Sequence, residues 1–288
     1  MNPSHAKIPT TLLSITTAMF MTGISVDTGA REPCVDLGEC KVLVEINSSD
    51  GDIGFHFLAD GDDLESLRLL APTTSDAPSE TIFQYAVSGR LREQTITETF
   101  AESAEPLCWA DPEADPDEEI VTLEEFIERW TPGNYIFDGR NSDNEPVRGS
   151  TMLNHALPAA PQEIEFEDGM VSWTRGDDLG NCASNAELDD LVAQGLLPIH
   201  PQDVAVAAWE IVVEPDVEDG DRVGNLVYSI RVTGKIPPME VTVPEDYLDS
   251  LPADTPVKIE VGAIGFRDNA TFTEGDGFCV NEEEGCED

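Results

Sequence analysis

Nucleophilic catalysis needs a base beside the nucleophile, and past residue 30 this chain has three histidines to offer: His56, His155 and His200. None sits in a Gly-x-Ser-x-Gly, a His-Glu-x-x-His or a glycine-rich phosphate loop. His56 lies between Phe55 and Phe57 and so faces away from them on a strand. His155 precedes a Pro-rich stretch, and His200 lies between prolines. All three read as structural or surface residues, and no catalytic residue is assigned. Carboxylates are the other resource. The 59 Asp and Glu residues against 15 Lys and Arg give a net charge of −44. Pairs suited to glycoside hydrolysis therefore occur everywhere by chance and single out no site. Calcium is the sharper chemistry, since it takes about 6–8 oxygen ligands and alternating acids on a loop supply several. The candidates are Asp50 and Asp52 on one turn, and Asp216, Glu218, Asp219 and Asp221 on another. Neither fits an EF-hand loop, and a solvated Asp/Gly turn explains each as well. Asp60, Asp62 and Asp63 lie at the far end of the strand after Asp52, about 25 Å away at about 3.3 Å per residue. No cofactor is expected beyond this Ca²⁺ candidate.

The six cysteines are Cys34, Cys40, Cys108, Cys182, Cys279 and Cys286. Residues 1–30 carry Lys7, an apolar run from Leu12 to Ile24, and small residues Thr28 and Ala30 where a signal peptidase reads. An even cysteine count behind an export signal points to disulfides. Proximity favours Cys34–Cys40 and Cys279–Cys286, which leaves Cys108 and Cys182 to join the two halves or to pair otherwise. No Cys-x-x-Cys pair occurs and no histidine sits at metal-ligand spacing, which argues against zinc. The expected location is secreted, periplasmic or cell-surface. The apolar run is shorter than the roughly 20 residues a membrane span requires, so no membrane insertion is expected after cleavage. A field this negative repels nucleic acid and anionic headgroups. With 40% apolar residues in strand-like runs, the acidity does not read as disorder; it reads as salt adaptation or simple solubility, or else as divalent cation binding.

The elements that position these residues are mostly strands. Val42, Val44 and Ile46 alternate, the 47–52 segment turns, and Ile53–Leu58 returns, closed by a second turn at 60–62. Further short strands follow at 67–70 and 81–87, and 95–100 reads as strand or helix. After an acidic loop at 102–119, Thr122 and Glu125 form a capping box that starts a helix with Phe126 and Trp130 on one face. Gly133-Asn134-Tyr135 resembles the tyrosine corner of immunoglobulin-like domains. Residues 157–161, with two prolines, read as a stiff spacer. Beyond it, alternation at Trp209–Val213, Tyr228–Val232, Met239–Val243 and Val257–Ala263 specifies a sandwich. An insertion at 177–204 holds a second capping box, Ser184–Glu187, with Gly195 as its stop.

The order Trp173, Leu248/Leu251, Pro252-x-x-Thr255 and Val261-Gly262-Ala263 resembles a fibronectin type III domain over roughly the last 115 residues. Two departures stand out: Val257 occupies the position of the family's corner tyrosine, and the insertion is long. Residues 41–157 resemble the N-terminal module of uncharacterised secreted bacterial proteins that carry such a domain. The expected fold is mainly β, with two antiparallel β-sandwich domains (immunoglobulin-like and type III-like) and short helical insertions. The expected boundaries are 1–30 for the signal, 31–157, 158–275, and an acidic tail 276–288. The resemblance implies a non-catalytic binding, adhesion or spacer role at a bacterial envelope, with an unidentified protein or glycan ligand. Trp109, outside any regular pattern, is a candidate glycan contact. The alternatives are an accessory or catalytic component acting on extracellular polysaccharide or protein, and a calcium-binding module.

Overall fold

Strict alternation along Val42, Val44 and Ile46 buries one face of the first strand and leaves Glu45 and Asn47 on the other. That pattern repeats across most of a large sheet. The computed structural model describes residues 34–73, 79–110, 119–217, 222–283 and 285–286. The expected export signal lies outside these residues, as do Glu218, Asp219 and Asp221.

In chain order the strands are β1 (Glu39–Asn47), β2 (Asp52–Leu70), β3 (Thr81–Ala86), β4 (Ile96–Glu102), β5 (Gly133–Asn141), β6 (Pro146–Leu153), β7 (Pro161–Glu167), β8 (Met170–Arg175), β9 (Val206–Pro215), β10 (Tyr228–Thr233), β11 (Glu240–Thr242), β12 (Thr255–Gly265) and β13 (Ala270–Val280). Among the described residues four α-helices join them: α1 (Arg90–Gln94), α2 (Leu123–Arg129), α3 (Asn185–Gln194) and α4 (Glu245–Leu248).

Among the described residues these strands form two sheets. The larger has ten strands, ordered β10-β9-β12-β13-β1-β2-β5-β6, with β3 and β4 also on β2; the smaller is β11-β8-β7. The expectation of purely antiparallel sheets is corrected here, because β1 and β13 pair in parallel (Glu45 with Ala270, Ile46 with Thr271, Asn47 with Phe272). This pairing makes one mixed sheet of strands from both halves of the chain, and the described residues cluster as one compact unit.

Two local expectations also change. No turn forms at Asp60-Gly61-Asp62: β2 runs straight through it, nineteen residues long, absorbing the acids as a register shift between Asp60 and Leu64. Asp63 takes φ 55° there, a left-handed conformation that Asp tolerates better than most residues. Gly61 is pressed against Leu37, whose Cδ2 would lie 2.7 Å from an added Cβ. The 157–161 segment is no exposed spacer either, since Leu157, Ala159 and Ala160 are buried. Its backbone is bonded into the fold: the Thr271 hydroxyl donates to the Pro158 carbonyl and the Ala160 amide to the Asp178 carbonyl.

Other signals appear as read. Thr122 and Glu125 exchange both capping bonds, the Ser184 amide donates to the Glu187 carboxylate, and Gly195 ends α3 at φ 77°. The Tyr135 hydroxyl donates to the Thr131 carbonyl at 3.1 Å, the bond a tyrosine corner makes.

The described residues form two apolar cores. One runs from Leu37 to Leu197 and includes Leu179, Leu188 and Leu191 of the 177–204 insertion. The other joins Val171, Trp173 and Val241 of the small sheet to Trp209, Ile211, Ile259 and Val261 of the large one. The insertion leaves the second half and completes the first core, where the Cys108–Cys182 disulfide fixes it. Cys34–Cys40 and Cys279–Cys286 close the small terminal loops.

The Cys108–Cys182 bridge spans 74 residues in sequence, against 6 for Cys34–Cys40. Chain entropy assigns the long loop about 4 kcal/mol and the short one about 2 kcal/mol. Urea denaturation of the two Cys→Ser double variants is expected to show the larger loss for Cys108/Cys182. Equal losses would mean the insertion is not anchored through this bridge.

Candidate functional site: an acidic groove on the outer sheet face

Because paired residues share a sheet face, the register determines which side chains meet. Glu210, Gly262, Phe272, Asn47 and Asp52 form one row across β9, β12, β13, β1 and β2. Glu260 and Glu274 pair in the next row, and Glu45 lies opposite Gly54. The reverse face of these strands carries Val44, Ile46, Ile53, Ile211 and Val261, all buried. The alternation that builds the core therefore lines up acids on the outside.

The row is a groove because two features wall it. Gly262 has no side chain, and the Phe272 ring occupies the space a Cβ would need, 2.3 Å away. On the other side the 103–107 segment runs along β2. The Ser103 amide donates to the Phe55 carbonyl and the Ile53 amide to the Pro106 carbonyl, which sets Glu105 over Gly54. An added Cβ on Gly54 would sit 2.7 Å from both Glu105 Oε1 and His56 Nε2. The resulting cavity is about 350 Å³, lined by Glu45, Asn47, Asp52, Glu105, Glu210, Val212, Glu260 and Phe272.

Cations are scarce around it. Arg231 pairs with Glu210, and Lys258 lies 3.2 Å from Glu214 and 3.7 Å from Glu274. Glu45, Asp52 and Glu260 have no Lys or Arg partner at salt-bridge distance among the described residues. Their carboxyl pKa values rise accordingly. Burial first, then a hydrogen bond and like charge from Glu274, push Glu260 up to about 7. Burial, then Glu105 and Asp50, push Asp52 up to about 6. Glu45 is raised mainly by burial and by neighbouring acids, with His56 opposing.

His56 is buried, and its Nε2 lies 3.1 Å from Glu105 Oε1. One ligand atom each from Glu45, His56 and Glu105 fall within 4.8 Å of one another, so these three could hold a metal ion. Part of this was accessible from sequence. The hairpin register places Glu45 opposite Gly54 and Leu43 opposite His56, so Glu45 and His56 are diagonal neighbours on one face. Glu105, 49 residues further on, gives no local signal.

The calcium candidates scatter. Asp52 lines the groove, whereas Asp50 is exposed and its carboxylate accepts from Asn47 Nδ2. Asp216 lies elsewhere, on a separate cavity of about 830 Å³ with Asp276 and Glu282. Of its sequence neighbours Glu218, Asp219 and Asp221, nothing is described. Trp109 is not free for a glycan: its Nε1 donates to the Asp50 carbonyl, and its ring packs on Gly51. His155 sits between the carbonyls of Leu196 and Trp130, and His200 Nδ1 accepts from the Gln202 amide. Both are buried, and neither reaches the groove.

No family model matches this chain, and no curated protein matches it. Among solved structures, a tetra-tandem repeat in the extending region of a large adhesion protein aligns with 84% of this chain at 14% identity. The alignment covers 49% of that structure, so the chain spans about half its length; the TM-score is 0.25. A likeness at that level establishes no shared fold.

Between the ordinary carboxyl value of 4.5 and about 7, folded Glu260 keeps a proton that the unfolded chain releases. Stability therefore falls as pH rises through this window. Asp52 adds a loss of the same sign below about 6. Because Glu260 is only partly buried, screening leaves on the order of 1 kcal/mol, or roughly 2–4 °C in melting temperature. Melting curves across this range are expected to show that decline, with Glu260→Gln flattening its upper part. A melting temperature that rises with pH would contradict the assignment.

Proposed function

We propose that this chain is a secreted, non-catalytic, β-rich protein that binds or spaces partners at a bacterial cell envelope. One observation carries the reading: three disulfides close the middle and both ends of a strand-built scaffold, which suits an oxidising compartment. No helix among the described residues is long and apolar enough to cross a membrane. The type III resemblance belongs to this reading. The small sheet β11-β8-β7 and the run β10-β9-β12-β13 share one core, a seven-strand, two-sheet order that supports it. The division at 157/158 belongs here too, supported by the two apolar cores, although the 177–204 insertion serves the first. The ligand is a protein or glycan that tolerates an acidic surface; nucleic acid and anionic headgroups are disfavoured by charge.

A second reading has its own support. Glu260 and Asp52, with raised pKa values in one groove, are the kind of carboxyl a glycan-cleaving site needs. The two readings part on a single assay. Chain 31–288 incubated with glycan and peptide panels is expected to give no turnover while binding envelope fractions saturably. Sustained hydrolysis abolished by Glu260→Gln would establish the second reading and remove the first.

A further inference from the structure

We propose that Glu45, His56 and Glu105 form a binding site for one first-row divalent metal ion, with zinc as the best match. The donor set argues for this class. Calcium and magnesium favour all-oxygen shells, whereas one imidazole with two carboxylates suits zinc and its neighbours. Zinc bonds of about 2.0–2.1 Å in a tetrahedron put donor atoms about 3.3 Å apart. His56 Nε2 and Glu105 Oε1 already stand 3.1 Å apart, with Glu45 completing a triangle no wider than 4.8 Å.

The scaffold holds this geometry. His56 is 4% exposed, packed edge-on against Phe100 at 5.9 Å between ring centroids, and fixed on a central strand. Gly54 supplies the floor, because a Cβ there would intrude on both the imidazole and the Glu105 carboxylate. Three protein donors would leave one position of a tetrahedron open, the pattern of a zinc site that keeps a water, and Glu45 and Glu105 both line the groove cavity.

The same cavity indicates what that open position is not for. Asp52, Glu210 and Glu260 line it, an acidic surround that disfavours an anionic ligand. The bound ion acts as a structural clamp. It bridges β1, β2 and the 103–107 segment and relieves the repulsion between Glu45 and Glu105. This inference is independent of the envelope-binding role proposed above.

A chain with this many acids binds cations weakly everywhere, so the test is made at high ionic strength, where exposed carboxylates are screened. Oxidised chain 31–288 is titrated with zinc chloride by calorimetry, with calcium chloride as comparator and melting followed in parallel. The expected result is one zinc per chain with a Kd on the order of 1 µM or tighter, a raised melting temperature, and no displacement by calcium. His56→Asn and Glu105→Gln are each expected to weaken zinc binding at least about tenfold. Glu98→Gln, on the exposed part of β4, is expected to leave it unchanged. Glu105 lies on a half-exposed segment, so its variant keeps the test valid should His56→Asn fail to fold. No saturable zinc binding, or unaltered affinity in Glu105→Gln, would overturn the proposal.

Discussion

The parallel pairing of β1 with β13 is the constraint on which the rest depends. Only three residue pairs carry it, but a buried asparagine secures it. Asn269 Oδ1 accepts from the Val44 amide at 3.0 Å, and its Nδ2 donates to the Asn154 carbonyl at 2.7 Å and the Ala156 carbonyl at 3.2 Å. One side chain thus ties the turn before β13 to the first strand and to the segment joining the halves. Because these groups are buried, losing the amide would leave several backbone groups without partners, a cost of about 1–3 kcal/mol for each. Ser48 extends the seam, sharing a hydrogen bond with Thr273 while its amide donates to the Phe272 carbonyl.

The acidic groove follows from that seam. Glu210 and Glu260 come from strands of the second half, and Glu45, Asp52 and Glu105 from the first. They line one cavity because β13 sits beside β1 in this register. A shift of one residue would turn every side chain on β1 to the opposite face, burying Glu45 and exposing Val44. The apolar core thereby enforces the placement of the acids. Burial and like charge raise the carboxyl pKa values of Glu260 and Asp52, while Arg231 and Lys258 offset part of the charge at Glu210 and Glu274.

Local signals were legible and long-range ones were not. The β1–β2 hairpin, both capping boxes, the Tyr135 bond and the alternation from Trp209 onward all rest on residues close in sequence. Elsewhere tertiary contacts override local chemistry. Asp60-Gly61-Asp62 looks like a turn, but Asp60 pairs with Glu39 of β1 and Glu98 of β4, and the strand resumes at Leu64 opposite Ile96 after a register shift. The prolines around Ala159 look like a spacer, but Thr271 and the 177–204 insertion bury it. The parallel pair leaves no sequence trace, since its members lie some 225 residues apart. For the groove, Asp52 was singled out and the Glu45–His56 diagonal is implicit in the hairpin. Glu105, Glu210 and Glu260 depended on the seam.

Differential scanning calorimetry of the oxidised chain 31–288 tests most directly whether this seam makes the halves one cooperative structure. A single transition is expected, with calorimetric and van't Hoff enthalpies in agreement. Two separable transitions, one for each core, would contradict the account, because the strands of both halves could then part without cost.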